Sequence, residues 1–259
     1  MPALEDLLAV CSLAAEAGAA ELMAWRGRFE SRQKSPRDLV TDADLASQQA
    51  IHRVIRSRYP EHGFLGEESP DPEQLCKPYC WVVDPLDGTT NYVHDFPCFA
   101  VSVAVACDGQ LMAATILDPL RGEVFSAAKG QGAHLNGSRI AVSRVASLGE
   151  ALVAISLPPE LESDSPDFLT FLRVAPHCQA VRRTGSAALN LAYVACGRLD
   201  AHWAHFIHPW DSAAGILLVR EAGGIATASQ GGEYQLAAGN YFVASQAALY
   251  QALQGLVMI

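Results

Sequence analysis

Leu4, Leu7, Leu8, Cys11, Ala14, Ala15, Gly18, Leu22 and Trp25 recur at steps of three and four residues. That period stacks them in one stripe and predicts a long amphipathic helix over about residues 3–27. A second helix is predicted near 42–58, with Ile51, Val54 and Ile55 on one face and Thr41-Asp42 as its cap. From Phe64 the pattern turns to strands: Phe64-Leu65, Trp81-Val82-Val83, Phe99 to Val105 and Leu111 to Leu117, rich in branched and aromatic residues. Asp118-Pro119 and Asn136-Gly137 mark turns between further short strands, the second a strong hairpin signal. Beyond about residue 145 strand and helix alternate: strands near 151–155, 179–182, 199–203, 224–227 and 241–244, with helices near 166–174, 186–196 and 209–222. The pattern therefore predicts an α+β N-terminal half, 1–145, carrying long helices and sheet, and an α/β C-terminal half, 146–259. The stretch from Pro158 to Pro166 reads as an exposed loop inside the second half, not as a linker.

Composition narrows the class. A chain of 259 residues that is 50% hydrophobic has enough apolar material for a large core, which opposes disorder. It has no uninterrupted apolar run of about 18 residues. Its start, Pro2-Ala3-Leu4-Glu5-Asp6, lacks the basic-then-apolar order of a secretory signal, so a cytoplasmic location is expected. The seven cysteines are odd in number and scattered, forming neither a disulfide framework nor a zinc pattern. A formal charge of −10 opposes binding to nucleic acid or anionic membrane and suits divalent cations. An anionic substrate would need such cations as a bridge.

The candidate chemistry begins at Trp81-Val82-Val83-Asp84-Pro85-Leu86-Asp87-Gly88-Thr89-Thr90-Asn91, which sets two carboxylates and two hydroxyls on a sharp turn straight after an apolar strand. Pro85 and Gly88 enforce the turn, and Thr89-Thr90-Asn91 can open a helix whose free N–H groups face an anion. Taken locally, Asp-Pro and Asp-Gly are also ordinary turn formers. An EF-hand loop is excluded, because Leu86 stands at its third position and Asp95 at its twelfth. Glu67 and Glu68 follow the short strand at Phe64, where paired glutamates are commonly just solvated. Asp211 sits at a helix start, where Asp is commonly a cap. If Glu67, Asp84, Asp87 and Asp211 converge, their mutual repulsion implies bound metal.

Gly66-Glu67-Glu68-Ser69, Asp84-Pro85-Leu86-Asp87-Gly88-Thr89-Thr90 and Trp210-Asp211-Ser212-Ala213-Ala214-Gly215 resemble the signature blocks of the inositol monophosphatase family. Asp38-Leu39-Val40-Thr41 with Asp44, Gly185 to Asn190, and Glu221 to Gly224 fall in the same order, so the resemblance spans nearly the whole chain. It implies a layered αβαβα sandwich of the inositol monophosphatase and sugar phosphatase type. It also implies a magnesium-dependent, lithium-sensitive phosphatase, usually a homodimer, acting on small phosphate monoesters. Carried over by position, Glu67, Asp84 and the Leu86 carbonyl would hold one Mg²⁺, and Asp84, Asp87 and Asp211 a second. A third, weaker ion would lean on Glu67. Thr89, paired with Asp44, would orient the attacking water, giving Asp44, Thr89 and Glu67 as the catalytic set. The backbone of Gly88 and Thr89 would cradle the phosphate, and Gly185, Ser186, Ala187 and His208 would join Asp87 and Asp211 in contacting the substrate. Lys34 resembles a family lysine near the outer metal, one residue closer to Asp38 than in some members.

The chain departs from the pattern at Ala204, where members acting on inositol phosphates usually carry a Glu that accepts from ring hydroxyls. A methyl group accepts nothing, and losing such a partner costs roughly 1–3 kcal/mol. His202, His205 and His208 recur beside it at steps of three, but imidazole is a poor ligand for hard Mg²⁺. Three readings result: a phosphatase for inositol monophosphate or a related polyol phosphate; the same chemistry on histidinol phosphate, a sugar phosphate or a nucleotide 3′-phosphate; and a catalytically idle relative that binds metal or a partner. The last predicts erosion of Asp44, Thr89 or a ligand carboxylate, and none is eroded. No Cys, Ser or His in the motifs has an evident activating base, so no phosphoenzyme is expected.

Overall fold

Leu7, Val10, Cys11, Ala14, Ala15, Ala19 and Leu22 form the buried stripe of α1 (Leu4–Trp25), as their spacing predicts. The structure, a computed structural model, describes residues 2–35, 38–158 and 161–257, except for the side chains of residues 34, 35 and 38. The Lys34 and Asp38 side chains thus lie outside the described part. By length and mean hydropathy, 1.6 over its best window, α1 could cross a bilayer, but here its stripe packs against sheet and helix. An antiparallel pair, β1 (Ser31–Ser35) and β2 (Asp38–Thr41), leads into α2 (Asp42–Arg58). The Thr41 hydroxyl caps α2 by accepting from the N–H groups of Ala43 and Asp44.

Next come β3 (Gly63–Gly66), β4 (Tyr79–Asp87), the short α3 (Thr89–Val93), β5 (Ala100–Cys107), β6 (Gln110–Asp118), β7 (Glu123–Ala128), β8 (Gly132–Leu135) and β9 (Ser138–Ile140). Their strands form a seven-stranded sheet in chain order, β3 parallel to β4 and the rest antiparallel. Asn136-Gly137 closes the last hairpin with φ of 49° and 77°, as a two-residue loop between Leu135 and Ser138 requires.

The second half holds β10 (Leu152–Ile155), α4 (Pro166–Val174), β11 (Ala180–Arg182), α5 (Ala187–Ala195), β12 (Ala201–Ala204), α6 (Pro209–Glu221), β13 (Ile225–Thr227), β14 (Tyr241–Ala244) and α7 (Ala247–Val257). The five strands run in the order β11-β10-β12-β14-β13, with β10 parallel to both neighbours and β14 antiparallel to both of its own. The pattern did not predict α7, although Leu249, Leu253 and Val257 recur every fourth residue and are buried. All seven cysteines are free thiols.

Period-two alternation assigns the layers. Trp81, Val83, Val101, Val103 and Val105 face α1 and α2, while Val82, Ala104, Ala106 and Ile116 face α5 and α6. The second sheet covers α5 and α6 with Ala154, Tyr241 and Val243, and turns Val153, Trp203 and Phe242 toward α7. The result is the αβαβα sandwich. Small residues bring the middle layer together: a Cβ on Gly215 of α6 would lie 2.3 Å from the Leu191 Cβ of α5. All strands of the first sheet precede residue 145 and all of the second follow it, yet one core cluster runs across both halves.

Candidate active site

Asp84 and Asp87 are three residues apart, so a regular strand would point them to opposite faces. The pairing of β4 with β5 shifts between them, with Asp84 opposite Ser102 and Asp87 opposite Ala100. Two residues, Pro85 and Leu86, therefore oppose only Val101, and this bulge turns both carboxylates to one side. The strand thus runs on through Asp87 instead of ending at a turn after Val83. Pro85 has no N–H to lose there, and its carbonyl accepts from the Ser47 hydroxyl at 2.9 Å. Gly88 then takes φ +92°, where an added Cβ would lie 2.9 Å from the Cys98 carbonyl oxygen, and α3 begins.

Asp211 arrives from the first turn of α6, where its carboxylate accepts the His208 N–H at 2.9 Å. It is both a helix cap and a member of the site: one oxygen each from Asp84, Asp87 and Asp211 lie within 4.8 Å of one another. Burial holds the Asp84 and Asp211 carboxyls well above the usual carboxylate range, and repulsion from Glu67 and Asp87 adds to it. Burial also pushes Asp87 up to about 6, against the lowering effect of the Ser186 hydroxyl and the N–H groups of Ala187 and Ala188. Three such groups gather at a cost that a hard divalent cation would remove, and all-oxygen donors are what such a cation takes. Glu67 and Leu86 line the same cleft of about 870 Å³.

Thr89 opens α3 with its hydroxyl 3.2 Å from Asp44 Oδ1 and 3.1 Å from the Leu86 carbonyl oxygen. Asp44 is fully buried, and its other oxygen accepts from the Thr41 N–H at 2.8 Å and the Thr41 hydroxyl at 2.5 Å. One hydroxyl proton thus faces two acceptors, leaving oxygen lone pairs for a donor in the cleft. Gly88, Gly185 and Ala187 also line the cleft. Ser186 sits beneath it, 1% exposed, where it caps α5 by accepting the Leu189 N–H at 3.2 Å and donates to Asp87. Its hydroxyl therefore acts on the carboxylate and is turned away from a substrate. Asn91 ties the two halves together by donating to the carbonyls of Cys98 and Thr184.

The three histidines part company. His202 is fully buried, contacts Ser156, Tyr241 and Asn190, and is pushed down to about 3 by burial, which keeps it neutral. His205 and His208 line the cleft, the latter stacked on Trp210 at 4.6 Å. Ala204 is buried in β12, paired with Tyr241. The motifs did not point to Ser186 as a partner of Asp87, nor to Ile155, Leu157, Pro158 and Arg183 as cleft residues. One usable signal was present: β10 and β12 are parallel, and ligands gather where parallel strands end.

The model of the inositol monophosphatase family matches residues 3–258. The chain belongs to the inositol monophosphatase family. It is a phosphoric monoester hydrolase, as that membership carries. The protein named Nus factor SuhB of Escherichia coli K12 is 43% identical over 212 residues, 82% of this chain and 79% of that protein. Inositol-1-monophosphatase of Synechocystis sp. is 40% identical over 231 residues, 87% of this chain and 79% of that one. Among solved structures, extragenic suppressor protein suhB of Bartonella henselae superposes with a TM-score of 0.90 at 34% identity, covering 97% of this chain and 98% of its own. Inositol monophosphatase of Anabaena gives 0.85 at 34% identity, covering 98% and 95%.

Proposed function

We propose that this family member hydrolyses a small phosphate monoester in a Mg²⁺-dependent reaction with water as nucleophile. Inositol monophosphate or a related polyol phosphate is the substrate that the name of the Synechocystis relative favours. The observation that carries the reading is the convergence of Asp84, Asp87 and Asp211 within 4.8 Å, the first two buried, the third half-buried, and the group mutually repelling. Glu67, Asp84 and the Leu86 carbonyl would hold one Mg²⁺, Asp84, Asp87 and Asp211 a second, and Glu67 would help hold a weaker third. When bound, the ions supply a water of lowered pKa and stabilise the developing charge on the leaving oxygen.

The chain's own groups do the rest. Thr89, held by Asp44, would accept from or donate to the attacking water and fix its line of approach. The N–H groups of Gly88 and Thr89 would receive the phosphate oxygens, and Gly185, Ala187 and His208 would meet the alcohol portion. We extend the family pattern to a cytoplasmic homodimer inhibited by lithium. A second reading keeps the chemistry but replaces the polyol with histidinol phosphate, a sugar phosphate or a nucleotide 3′-phosphate. The burial of Ala204 favours it, because no acceptor stands at that position. Phosphate release from a panel of these esters, with Mg²⁺ and with EDTA, tests both readings. No release from any ester at saturating Mg²⁺ would end the phosphatase proposal.

A further inference from the structure

One part of the cleft lining is apolar, although Ser156 and Arg183 also line the cleft: Ile155 ends β10, Leu157 and Pro158 follow it, and Phe206 and Ile207 follow β12. Phe206 is 61% exposed. A single exposed aromatic needs no explanation, but this one lines the same pocket as Ile155, Leu157, Pro158, Ile207 and the three convergent carboxylates. Its loop is also anchored from below. Asp167 of α4, itself 1% exposed, accepts the His205 N–H at 3.0 Å, and Thr170 contacts His205 Nε2 at 3.3 Å. The second Asp167 oxygen has no hydrogen-bond partner among the described residues, a costly state for a buried carboxylate. The fold thus retains an unfavourable group whose visible work is to fix the segment that carries Phe206.

Resting on the phosphatase reading above, we propose that Phe206, set in place through Asp167, is the platform for the leaving group. The favoured substrates are then phosphate monoesters of alcohols bearing a flat aromatic or heteroaromatic ring. Such a ring covers the exposed Phe206 face and excludes water from Leu157 and Pro158. A polyol ring does neither, and with Ala204 buried in the core it also loses an acceptor for its hydroxyls. His205 and Arg183 remain in the lining to meet polar substituents on the flat ring.

Benzyl phosphate and glycerol 2-phosphate test this, since both release an aliphatic alcohol and only one carries a flat ring. Phosphate release would be measured at saturating Mg²⁺ for the native protein, Phe206→Ala, Phe206→Trp and Asp167→Ala. The expected result is a KM for benzyl phosphate raised about fivefold by Phe206→Ala, the size of one lost stacking contact, with glycerol 2-phosphate changed by less than about twofold. Phe206→Trp should restore the benzyl KM, and Asp167→Ala should reproduce its rise. An unchanged benzyl KM in Phe206→Ala, or an equal loss on both esters, overturns the proposal. An unchanged benzyl KM in Asp167→Ala overturns the anchoring part. If the native protein releases phosphate from neither ester nor from inositol 1-phosphate, it is the phosphatase reading that fails.

Discussion

Between Asp84 and Thr89 the polar side chains are held from behind, whereas between His205 and His208 the chain leaves Phe206 and His208 exposed. Asp84 accepts the Leu86 N–H, Asp87 accepts from Ser186, Ala187 and Ala188, and Thr89 contacts Asp44 and Leu86. In this second stretch His205 is tethered from α4, and His208 by Asp211 and Trp210. The first region is preorganised for one arrangement of charge, which catalysis by electrostatics demands. The second is a more exposed surface, joined to the carboxylate cluster where Asp211 accepts the His208 N–H. The proposed function places reaction type with the first region and substrate choice with the second, within one cleft.

The sharpest way to break that contrast is to remove charge from the rigid side. Asp87→Asn and Asp211→Asn should each lower phosphate release by about 10⁴-fold or more, the equivalent of several kcal/mol of lost transition-state stabilisation. The thermal midpoint of Asp211→Asn should not fall, because the amide oxygen can keep the His208 N–H while like-charge repulsion is relieved. That of Asp87→Asn should fall, because its NH2 group would face donors that both Asp87 oxygens accept. Near-normal turnover in both would remove the shared metal site. Thr89→Ala should follow with a loss of about 10²–10⁴-fold in kcat, the usual span for a lost proton-transfer group, with KM little changed. A rise in KM alone would make Thr89 a binding residue.

The two regions were unequally legible in the sequence. Helix and strand periods located α1, α2, β4 to β6 and the alternation after residue 145, because each element buries one face and its pattern reports that face. The C-terminal helix α7 escaped, although Leu249, Leu253 and Val257 carried its period. The carboxylates could be named from motif blocks, but their common direction could not: it depends on a register shift against β5, a non-local pairing that Asp84-Pro85-Leu86-Asp87 does not encode alone. A serine before a helix reads the same whether it faces inward or outward, so the motif around Ser186 does not show which way its hydroxyl points. Its partner, Asp87, is 99 residues away.

Smaller effects sharpen the contrast. Ser186→Ala should weaken metal affinity by about 10–100-fold through Asp87 and cost about 1 kcal/mol of helix capping. Unchanged activation by Mg²⁺ would mean that the hydroxyl only caps α5. In the second region the effect is one of pH. Burial holds Asp167 up to about 6, above its ordinary 3.8, so the folded state binds the extra proton in that window and loses stability as pH rises through it. Asp167→Asn keeps an oxygen acceptor without the charge. Its melting temperature relative to the native protein should therefore be level below about pH 4 and a few degrees higher above about pH 6. A difference independent of pH would show that the carboxylate does not titrate there.

The most direct test of the carboxylate cluster is phosphate release as a function of Mg²⁺ concentration, with benzyl phosphate and inositol 1-phosphate, in the native protein and in Asp211→Asn. Saturable activation abolished by EDTA is expected in the native protein, and no turnover at any Mg²⁺ concentration in the variant. Turnover that survives EDTA, or the same activation curve in both proteins, would contradict it.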